Sequence, residues 1–346
     1  MKKLIALLLC AAMVIALAAC GSTPEAPQND TSAKPAAEAP AEARVLKLGH
    51  SVTETSAWHQ GALLFAEKVA EKTNGTIKIE IYPNCTLGSE REMIEGMGLG
   101  SVDMGLVSTS IASGFTDSML LMDMPFLFEN FEHAHKVIDS EVGAGILASA
   151  EDIGIHGLTF FENGFRNIQT VAPVTCIEDI AGMKIRTVES TMYLDTLEAF
   201  GANPIPMTWT DVYTGVQQKT IDGLEGCNDN DYKAGLGEVA KYVICTNQIY
   251  SGVILGINTE IWYSLTAEEQ AAMTEAAQEA VAYQRELAEA NEMTARESLI
   301  ADGVQVIYEE DIADIDAWRA AVEPIYEEYA ERVGGWDLIN SIREMA

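Results

Sequence analysis

The sequence has 346 residues, a length that corresponds to roughly two domains. It carries 21 Lys and Arg against 53 Asp and Glu, so its formal net charge is −32, and a chain this acidic repels phosphate backbones, which excludes a nucleic-acid partner. With 48% hydrophobic and 21% charged residues, the composition excludes a disordered chain, a polytopic membrane protein and a small disulfide scaffold.

The first twenty residues have the features of an export signal. Lys2 and Lys3 precede an uncharged apolar run at 4–19, which is shorter than the about 20 residues that a membrane-spanning helix needs. The run ends in Leu-Ala-Ala-Cys-Gly, which resembles the lipobox of bacterial lipoproteins. That resemblance implies a signal peptide at 1–20, cleaved before Cys20, and a lipid on the Cys20 sulfur. The alternative is an ordinary signal peptide with an incidental cysteine.

Residues 21–43 are rich in Ala, Pro and Glu and contain no aromatic residue. Such a segment buries too little apolar surface to fold, so it predicts a disordered tether that leads to a folded unit beginning near Arg44. We therefore expect an exported protein that is lipid-anchored to the outer face of the bacterial cytoplasmic membrane, in the periplasm or at the cell surface.

Four cysteines remain in the folded part, at Cys85, Cys176, Cys227 and Cys245. An exported compartment permits disulfides, and the sequence leaves open whether these cysteines are bridged or free. Their wide spacing differs from the short C-x-x-C pairs of metal sites, and no Walker loop, G-x-S-x-G or H-E-x-x-H motif occurs. We therefore expect no metal, no cofactor and no enzymatic activity.

Strands and helices alternate through the first half of the folded chain. The predicted elements are strands at 45–50, 76–82 and 102–107, helices at 58–72, 89–97 and 131–150, and a strand at 155–161. A β-α-β-α-β order predicts a parallel sheet with helices on its faces.

A second alternating series follows the first. Its predicted elements are strands at 183–188, 203–206 and 221–224 and helices at 191–200 and 210–218. Two such series predict two α/β domains. Residues 266–300 lack Gly and Pro and are dense in strong helix formers, which predicts one helix about 50 Å long that spans both domains. A strand at 304–308 and helices up to residue 346 complete the chain.

Two arginines stand out because no other arginine lies between Arg91 and Arg285. Arg166 follows the predicted strand at 155–161, and Arg186 lies in the strand that opens the second series. Ligands of open α/β sheets bind at the carboxyl ends of strands, and a guanidinium matches a carboxylate with two parallel hydrogen bonds. Both arginines are candidate carboxylate-binding groups, although either could instead form an ion pair within this acidic chain.

Several short strings, in order along 45–310, resemble the substrate-binding proteins of TRAP transporters, the DctP-type family. They are LGSEREMIE at 87–95, VDMGLV at 102–107, DMPFLF at 123–128, FEHAH at 131–135, NGFRN at 163–167, GMKIR at 182–186, GANPIPM at 201–207 and IDGLE at 221–225. The resemblance implies two α/β domains with a central cleft, as in the periplasmic binding proteins, bridged by hinge strands and one long helix.

The resemblance also implies a domain division and a set of partners. It places domain one at 44–163 and 252–291, including the start of the long helix, and domain two at 164–251 and 292–346. It implies that an organic acid is captured in the cleft and delivered to the integral membrane subunits of a TRAP permease, without ATP. We expect a monomer whose partners are a small carboxylate ligand, the permease and, through the lipid anchor, the membrane.

The resemblance assigns ligand contacts to individual side chains. Arg186 corresponds to the family arginine that clamps the ligand carboxylate, and Arg166 to a second arginine of the same site. Trp209 takes the position of an aromatic residue that packs on the ligand. The other predicted ligand-binding residues are His50, Ser51, Glu90 and Ser108 from domain one and Glu189 and Glu225 from domain two.

One position departs from the family pattern. Family members commonly carry Asn after the residue that corresponds to Glu225, and here that residue is Gly226. Asn228, two residues further on, is the expected substitute. The expected ligand is a sugar acid or a dicarboxylate-like organic acid. A ligand sensor that presents its closed form to a signalling partner, and a hydrolase acting in the cleft, are the alternatives.

Overall fold

The computed structural model describes residues 43–346. The predicted signal peptide, Cys20 and the predicted tether up to residue 42 lie outside these residues. The strands of the described chain are β1 (Arg44–Gly49), β2 (Ile77–Tyr82), β3 (Met104–Ser108), β4 (Ile155–Thr170), β5 (Lys184–Thr187), β6 (Asn203–Pro206), β7 (Gly223–Gly226), β8 (Tyr242–Asn258) and β9 (Gln305–Ile307).

These strands form one sheet that is parallel towards both ends and antiparallel in the middle. The strand order is β2-β1-β3-β8-β4-β7-β5-β6, and β9 lies beside β8. Strand β1 is parallel to β2 and β3, and β5 is parallel to β6 and β7. Strand β8 is antiparallel to both β3 and β4. The two predicted β/α series are confirmed as two parallel strand groups, the first containing β1–β3 and the second containing β5–β7.

Two long strands, β4 and β8, join the two strand groups. They contain 16 and 17 residues and pair with each other from Ile155–Asn258 at one end to Thr170–Tyr242 at the other. Strand β3 pairs with the last part of β8, and β7 pairs with the last part of β4. The connection between the groups therefore consists of a continuous antiparallel ladder, in the place where hinge strands were expected.

The length of β4 shows that the predicted strand at 155–161 ended too early. The strand continues to Thr170, so Arg166 lies within a strand and not beyond its end. The pairing with β8 shifts in register between Glu162 and Gly164. Gly164 has a φ of +112°, which glycine adopts without strain, so a segment whose sequence is typical of a turn forms a bulge and the strand goes on.

The helices cover the sheet. They are α1 (Ala57–Lys72), α2 (Glu90–Gly98), α3 (Thr109–Ala112), α4 (Phe131–Ile138), α5 (Glu141–Ala148), α6 (Thr191–Ala199), α7 (Val212–Gln217), α8 (Asn228–Lys233), α9 (Thr259–Tyr263), α10 (Ala267–Ala301), α11 (Ile315–Ala321), α12 (Glu323–Tyr329) and α13 (Trp336–Arg343). The prediction of one helix at 131–150 was wrong. Two helices form because the Ser140 side chain accepts a hydrogen bond from the Val142 N–H and starts α5 anew.

Helix α10 confirms the predicted long helix. It has 35 residues, and Thr266 and Glu269 cap its start reciprocally. Its first half packs against α1, and Gln284 exchanges two hydrogen bonds with the main chain of Glu162 in β4, at 2.8 and 2.7 Å. Further along, Glu292 accepts a hydrogen bond of 2.7 Å from Asn228 in α8. The helix thus contacts elements of both strand groups.

The helices that follow α10 also contact both halves of the chain. Trp318 packs edge-on against Phe200 after α6, with ring centroids 4.8 Å apart. The Tyr326 hydroxyl donates to the carbonyl of Pro125, in the segment between β3 and α4, at 2.7 Å. The C-terminal helices therefore contact segments that the sequence assigns to different domains.

The four cysteines in residues 43–346 are free thiols, of which Cys227 and Cys245 are buried and Cys85 and Cys176 are partly exposed. No helix within these residues combines the length and the apolar character that a bilayer crossing requires.

Candidate functional site

Arg166 and Glu225 form a buried ion pair. Arg166 lies on β4 and Glu225 on the neighbouring β7. One terminal nitrogen of Arg166 donates to Glu225 Oε1 at 2.9 Å and to the Glu225 carbonyl at 3.1 Å, and Arg166 Nε bonds the second carboxylate oxygen. Thr187 Oγ1 also donates to Glu225 Oε1, at 2.7 Å. Burial lowers the pKa of Arg166, but Glu225, Tyr193 and Cys227 together outweigh this effect, so the pKa lies well above its ordinary value.

Arg186 on β5 differs from Arg166 because it has no carboxylate partner among the described residues. Its Nε and Nη2 both donate to the carbonyl of Met207, at 3.0 and 2.8 Å, while Nη1 is buried without a hydrogen-bond partner in this part of the chain. The guanidinium lies over the Trp209 ring, 5.6 Å from its centroid. Burial lowers the pKa of Arg186 to about 10, so the side chain stays positively charged at neutral pH.

The two arginines line a chamber together with side chains from the first half of the chain. Ser51, Trp58, Glu90 and Ser108 form the opposite wall. The chamber has a volume of about 50 Å³, which is room for a few water molecules. A wider cleft of about 510 Å³ shares Ser51, Glu90 and Trp209 with the chamber. The chamber and the wider cleft are therefore neighbours.

Glu90 is the most strongly hydrogen-bonded side chain on that opposite wall. Its Oε1 accepts from the Ser51 hydroxyl at 2.7 Å, and its Oε2 accepts from the Ser108 N–H and hydroxyl at 2.6 and 2.5 Å. Glu90 begins helix α2 just after the cap residue Ser89, so the N-terminal end of the helix also favours its negative charge. The structure brings these three predicted residues together in one cluster.

His50 lies behind this wall and does not line the chamber. Its Nε2 is 2.9 Å from Nδ1 of His59, and its side chain is fully buried. Burial, and next to it the charge of His59, lower the pKa of His50 to about 4. His50 is therefore neutral at physiological pH and supplies no charge to the site.

Two other predicted residues have partners away from the arginines. Glu189 lies in the wider cleft, where its carboxylate accepts a hydrogen bond of 2.8 Å from Arg91 Nε; both side chains are more than one third exposed. Asn228 is buried in α8, and its amide is directed to Glu292 of α10, outside the chamber. The structure brings neither side chain to Arg186.

The sequence analysis missed the residue that occupies the space beside Gly226. A Cβ atom at Gly226 would lie 2.3 Å from Oδ1 of Asp231, a distance that no real contact allows. Asp231 lines the chamber and its side chain is buried. The signal was present in the sequence as the unexpected glycine, but only the fold of α8 shows which side chain takes the vacated space.

A larger cavity, of about 770 Å³, lies elsewhere, between the C-terminal helices and the segment 125–130. It contains none of the predicted site residues. Because buried, unpaired cationic groups are what recognises an anion, the small chamber with the arginines is the better candidate despite its size.

A chamber with a buried, partly unpaired arginine is suited to binding an anionic solute. In agreement, the model of the family described as DctP, bacterial extracellular solute-binding protein, family 7, matches residues 48–332. The chain belongs to this family of extracytoplasmic solute-binding proteins, which confirms the DctP-type resemblance of the sequence and favours binding over catalysis.

Relatives of known name cover most of the chain. The 2,3-diketo-L-gulonate-binding periplasmic protein YiaO of Escherichia coli is 36% identical over 266 residues, which are 77% of this chain and 81% of the relative. The C4-dicarboxylate-binding periplasmic protein DctP of Rhodobacter capsulatus is 31% identical over 298 residues, 85% of this chain and 89% of the relative.

Solved structures of similar proteins contain sugar acids. A TRAP periplasmic solute-binding protein from a Polaromonas species, bound to D-erythronate, has 32% identity and a TM-score of 0.83, covering 87% of this chain and 98% of its own. The sugar acid binding protein DctPAm of Advenella mimigardefordensis, in complex with galactonate, has 27% identity and a TM-score of 0.83, covering 88% and 98%.

Proposed function

We propose that the protein is a lipid-anchored receptor that captures a small organic acid, a sugar acid in the first place, and delivers it to a TRAP-type permease. The observation that carries this proposal is Arg186, a buried guanidinium with a free terminal nitrogen at the wall of the chamber. A charged group held in this way lacks the compensation that a bound carboxylate would supply.

The two arginines then have different tasks. Arg166 is paired with Glu225, so its task is to hold β4 and β7 together. Arg186 has five N–H donors, of which two are used on the Met207 carbonyl. The remaining donors lie at the outer end of the fork, where they match a carboxylate in a two-point contact. Trp209 covers the same guanidinium.

The identity of the ligand class is supported by the relatives. Their names include a diketo-gulonate, D-erythronate, galactonate and C4-dicarboxylates, all of which carry a carboxylate, and the first three also carry oxygen substituents along the chain. Glu90, Ser51 and Ser108 supply polar groups on the wall that faces Arg186. A carboxylate at one side and hydroxyls at the other would use both walls.

Capture would proceed by closure of two domains, 44–163 with 252–291 and 164–251 with 292–346. Ser51, Glu90 and Ser108 belong to the first domain, and Arg166 and Arg186 belong to the second. A ligand that touches both walls binds the closed form better than the open form, and only this difference shifts the population. The lipid on Cys20 and the tether at 21–43 would keep the receptor near the permease.

The test is calorimetry with the acid that copurifies with the protein, identified by mass spectrometry. Arg186→Ala should raise the dissociation constant by at least ~30-fold, because a desolvated charged pair loses one partner. Arg186→Lys should also weaken binding of the acid, since the ammonium group of lysine is a point charge and cannot make the two parallel hydrogen bonds of a guanidinium. Lys184→Ala, on the same strand but exposed, is the matched control and should bind like the wild type. Unchanged affinity in both Arg186 variants would refute the proposal.

A further inference from the structure

Gly226 and Asp231 fit together as a pair. The carboxyl of Asp231 lies against the main chain of Gly226, so that a Cβ at this position would meet Oδ1 at 2.3 Å and Oδ2 at 2.4 Å. Gly226 ends β7 directly after Glu225, and Asp231 lies one helical turn into α8. The absence of a side chain at 226 is therefore what admits a carboxyl to the wall of the chamber.

The Asp231 carboxyl has no partner within residues 43–346. Its Oδ1 is fully buried and accepts no hydrogen bond from any of these residues, and the side chain is only 1% exposed. Leaving a buried polar group without a hydrogen bond is unfavourable, so buried carboxyl groups are normally satisfied. An unsatisfied carboxyl that lines a ligand chamber points to a donor supplied by the ligand.

The charges around the chamber restrict what that donor belongs to. Among the described residues that line it, the cations are Arg166 and Arg186, and Arg166 is already neutralised by Glu225. Arg186 therefore offers compensation for one ligand carboxylate. A second carboxylate on the ligand would face Asp231 and Glu90, whose oxygens already accept three hydrogen bonds from Ser51 and Ser108.

We propose that Asp231 is a specificity-determining residue that hydrogen-bonds a hydroxyl of the bound acid, and that the site thereby selects hydroxylated monocarboxylates over dicarboxylates. This inference rests on the proposed function, because it assumes that Arg186 holds the ligand carboxylate. Burial raises the pKa of Asp231 to about 8 against the opposing charge of Arg166, so in the empty site the carboxyl is largely protonated at neutral pH. In that form it can donate to a ligand oxygen as well as accept from a hydroxyl.

Calorimetry with four-carbon acids isolates the hydroxyl groups. The probes are D-erythronate, which is hydroxylated, butyrate, which has the same carbon chain without hydroxyls, and succinate, which has a second carboxylate; D-galactonate serves as a longer hydroxylated probe. Wild-type protein should bind at least one hydroxylated probe about tenfold or more tightly than butyrate and succinate. Asp231→Ala should remove that advantage and leave the affinities for butyrate and succinate within about twofold of wild type.

A matched control and a second measurement separate this effect from misfolding. Asp229→Asn, on the same helix but paired with Lys233 away from the chamber, should keep the wild-type preference. Gly226→Ala should weaken the binding of hydroxylated probes in the wild-type background, because the new Cβ displaces the carboxyl of Asp231. In the Asp231→Ala background the same change should have no further effect on binding.

The outcomes separate the two proposals. The role of Asp231 is overturned if Asp231→Ala lowers the affinity for every probe equally or leaves the preference unchanged. It is also overturned if the wild type prefers succinate. In each of these cases Arg186→Ala still abolishes binding. If no probe binds, the role of Asp231 in selecting hydroxylated acids fails. If Arg186→Ala binds the copurified acid like the wild type, the assignment of Arg186 fails and the role of Asp231 fails with it.

Discussion

Arg166 on β4 and Glu225 on β7 make a two-point ion pair in the interior, at the base of the ligand chamber. The sequence allowed two interpretations of Arg166, as a ligand-binding group or as a partner of a carboxylate. The structure shows the pairing with a carboxylate, and Arg166 also lines the chamber, so its part in ligand binding stays a prediction. The same ion pair therefore affects both the stability of the sheet and the electrostatics of the site.

Glu225→Gln should destabilise the protein strongly. The variant leaves the Arg166 guanidinium buried without its counter-charge, and breaking a buried pair in this way lowers the free energy of unfolding by about 3–5 kcal/mol. Chemical denaturation without ligand measures the change. Arg332→Ala, which removes a half-exposed pair with Asp117, should change it by less than about 1 kcal/mol. A loss below about 1 kcal/mol for Glu225→Gln would show that the pair is not structural.

Arg91 and Glu189 should slow ligand release. Their ion pair of 2.8 Å connects α2 with the segment after β5, across the wider cleft, so it exists only when the cleft is narrow. Because both side chains are partly exposed, we expect Arg91→Ala to raise the dissociation rate of the copurified acid by only about twofold to fivefold in stopped-flow measurements. The charge-swapped variant Arg91→Glu with Glu189→Arg should recover the slow rate. Loss of binding in both variants would instead place the pair in the ligand site.

Ligand binding should compact the protein. The residues that line the chamber come from both proposed domains, so the form that admits the acid from solution should be more open than the form that holds it. Small-angle scattering should show a smaller radius of gyration with the copurified acid than without it. Moderate salt should not slow association, because it screens the net repulsion between an anion and a chain of charge −32. Binding without compaction would contradict domain closure.

Asp231→Asn should stabilise the unliganded protein at high pH and not at low pH. The folded pKa of about 8 lies above the ordinary value of 3.8, because burial outweighs the attraction of Arg166 and Arg186, while Glu225 and Glu292 oppose ionisation. Stability from the protonated carboxyl is therefore fully present below about pH 4 and is lost as pH rises through 8. The Tm of the variant minus that of the wild type should grow between pH 5 and 8.5.

The control for this comparison of Tm values is a variant at a carboxylate that is exposed in the folded protein. Asp316→Asn serves, since the Asp316 side chain is 95% exposed, and its Tm difference from the wild type should stay flat with pH. Asp123 is also buried with a pKa of about 8, but it is present in all three proteins and cancels in the differences. A flat difference for Asp231→Asn would mean that its carboxyl ionises normally.

Cys20→Ser should release the protein from the membrane. The lipobox-like string is the basis for an anchor at this residue, and without the thiol no thioether can form. Fractionation of cells should move the variant from the membrane pellet to the soluble fraction. If the variant still pellets, the anchor lies elsewhere or the signal is not cleaved.

The sequence was sufficient for the parts of the fold that depend on local patterns. The alternation of strands and helices in the two series, and the long helix without Gly or Pro, reflect periodicity and helix propensity, and the structure confirms them. The 17 residues of β8 were not predicted, because a strand buried along its whole length shows no alternation of apolar and polar residues. The extent of β4 was missed because a bulge and a turn share the same residue types.

The site was predictable where a residue type is rare and less so where it is common. Arg186 stood out by its type and Trp209 by the family resemblance, and the two side chains are in contact. The carboxylates did not, because 53 acidic residues offer many equivalent candidates. Asn228 lies closer in sequence to Gly226 than Asp231 does, yet the helix directs Asn228 to Glu292 and brings the carboxyl of Asp231 back over the strand end.

The four free thiols have a consequence for redox chemistry in an oxidising compartment. Only a thiolate attacks a disulfide or an oxidant, so a raised pKa keeps a cysteine unreactive at neutral pH. Burial raises the pKa of Cys85 and Cys245 to about 11, with Glu90 and Glu292 respectively adding to the effect, and a carboxylate contact from Glu178 raises that of Cys176. Burial at Cys85 and Cys245, and a carboxylate at Cys176, thus suppress the thiolate form through which mispaired disulfides would arise.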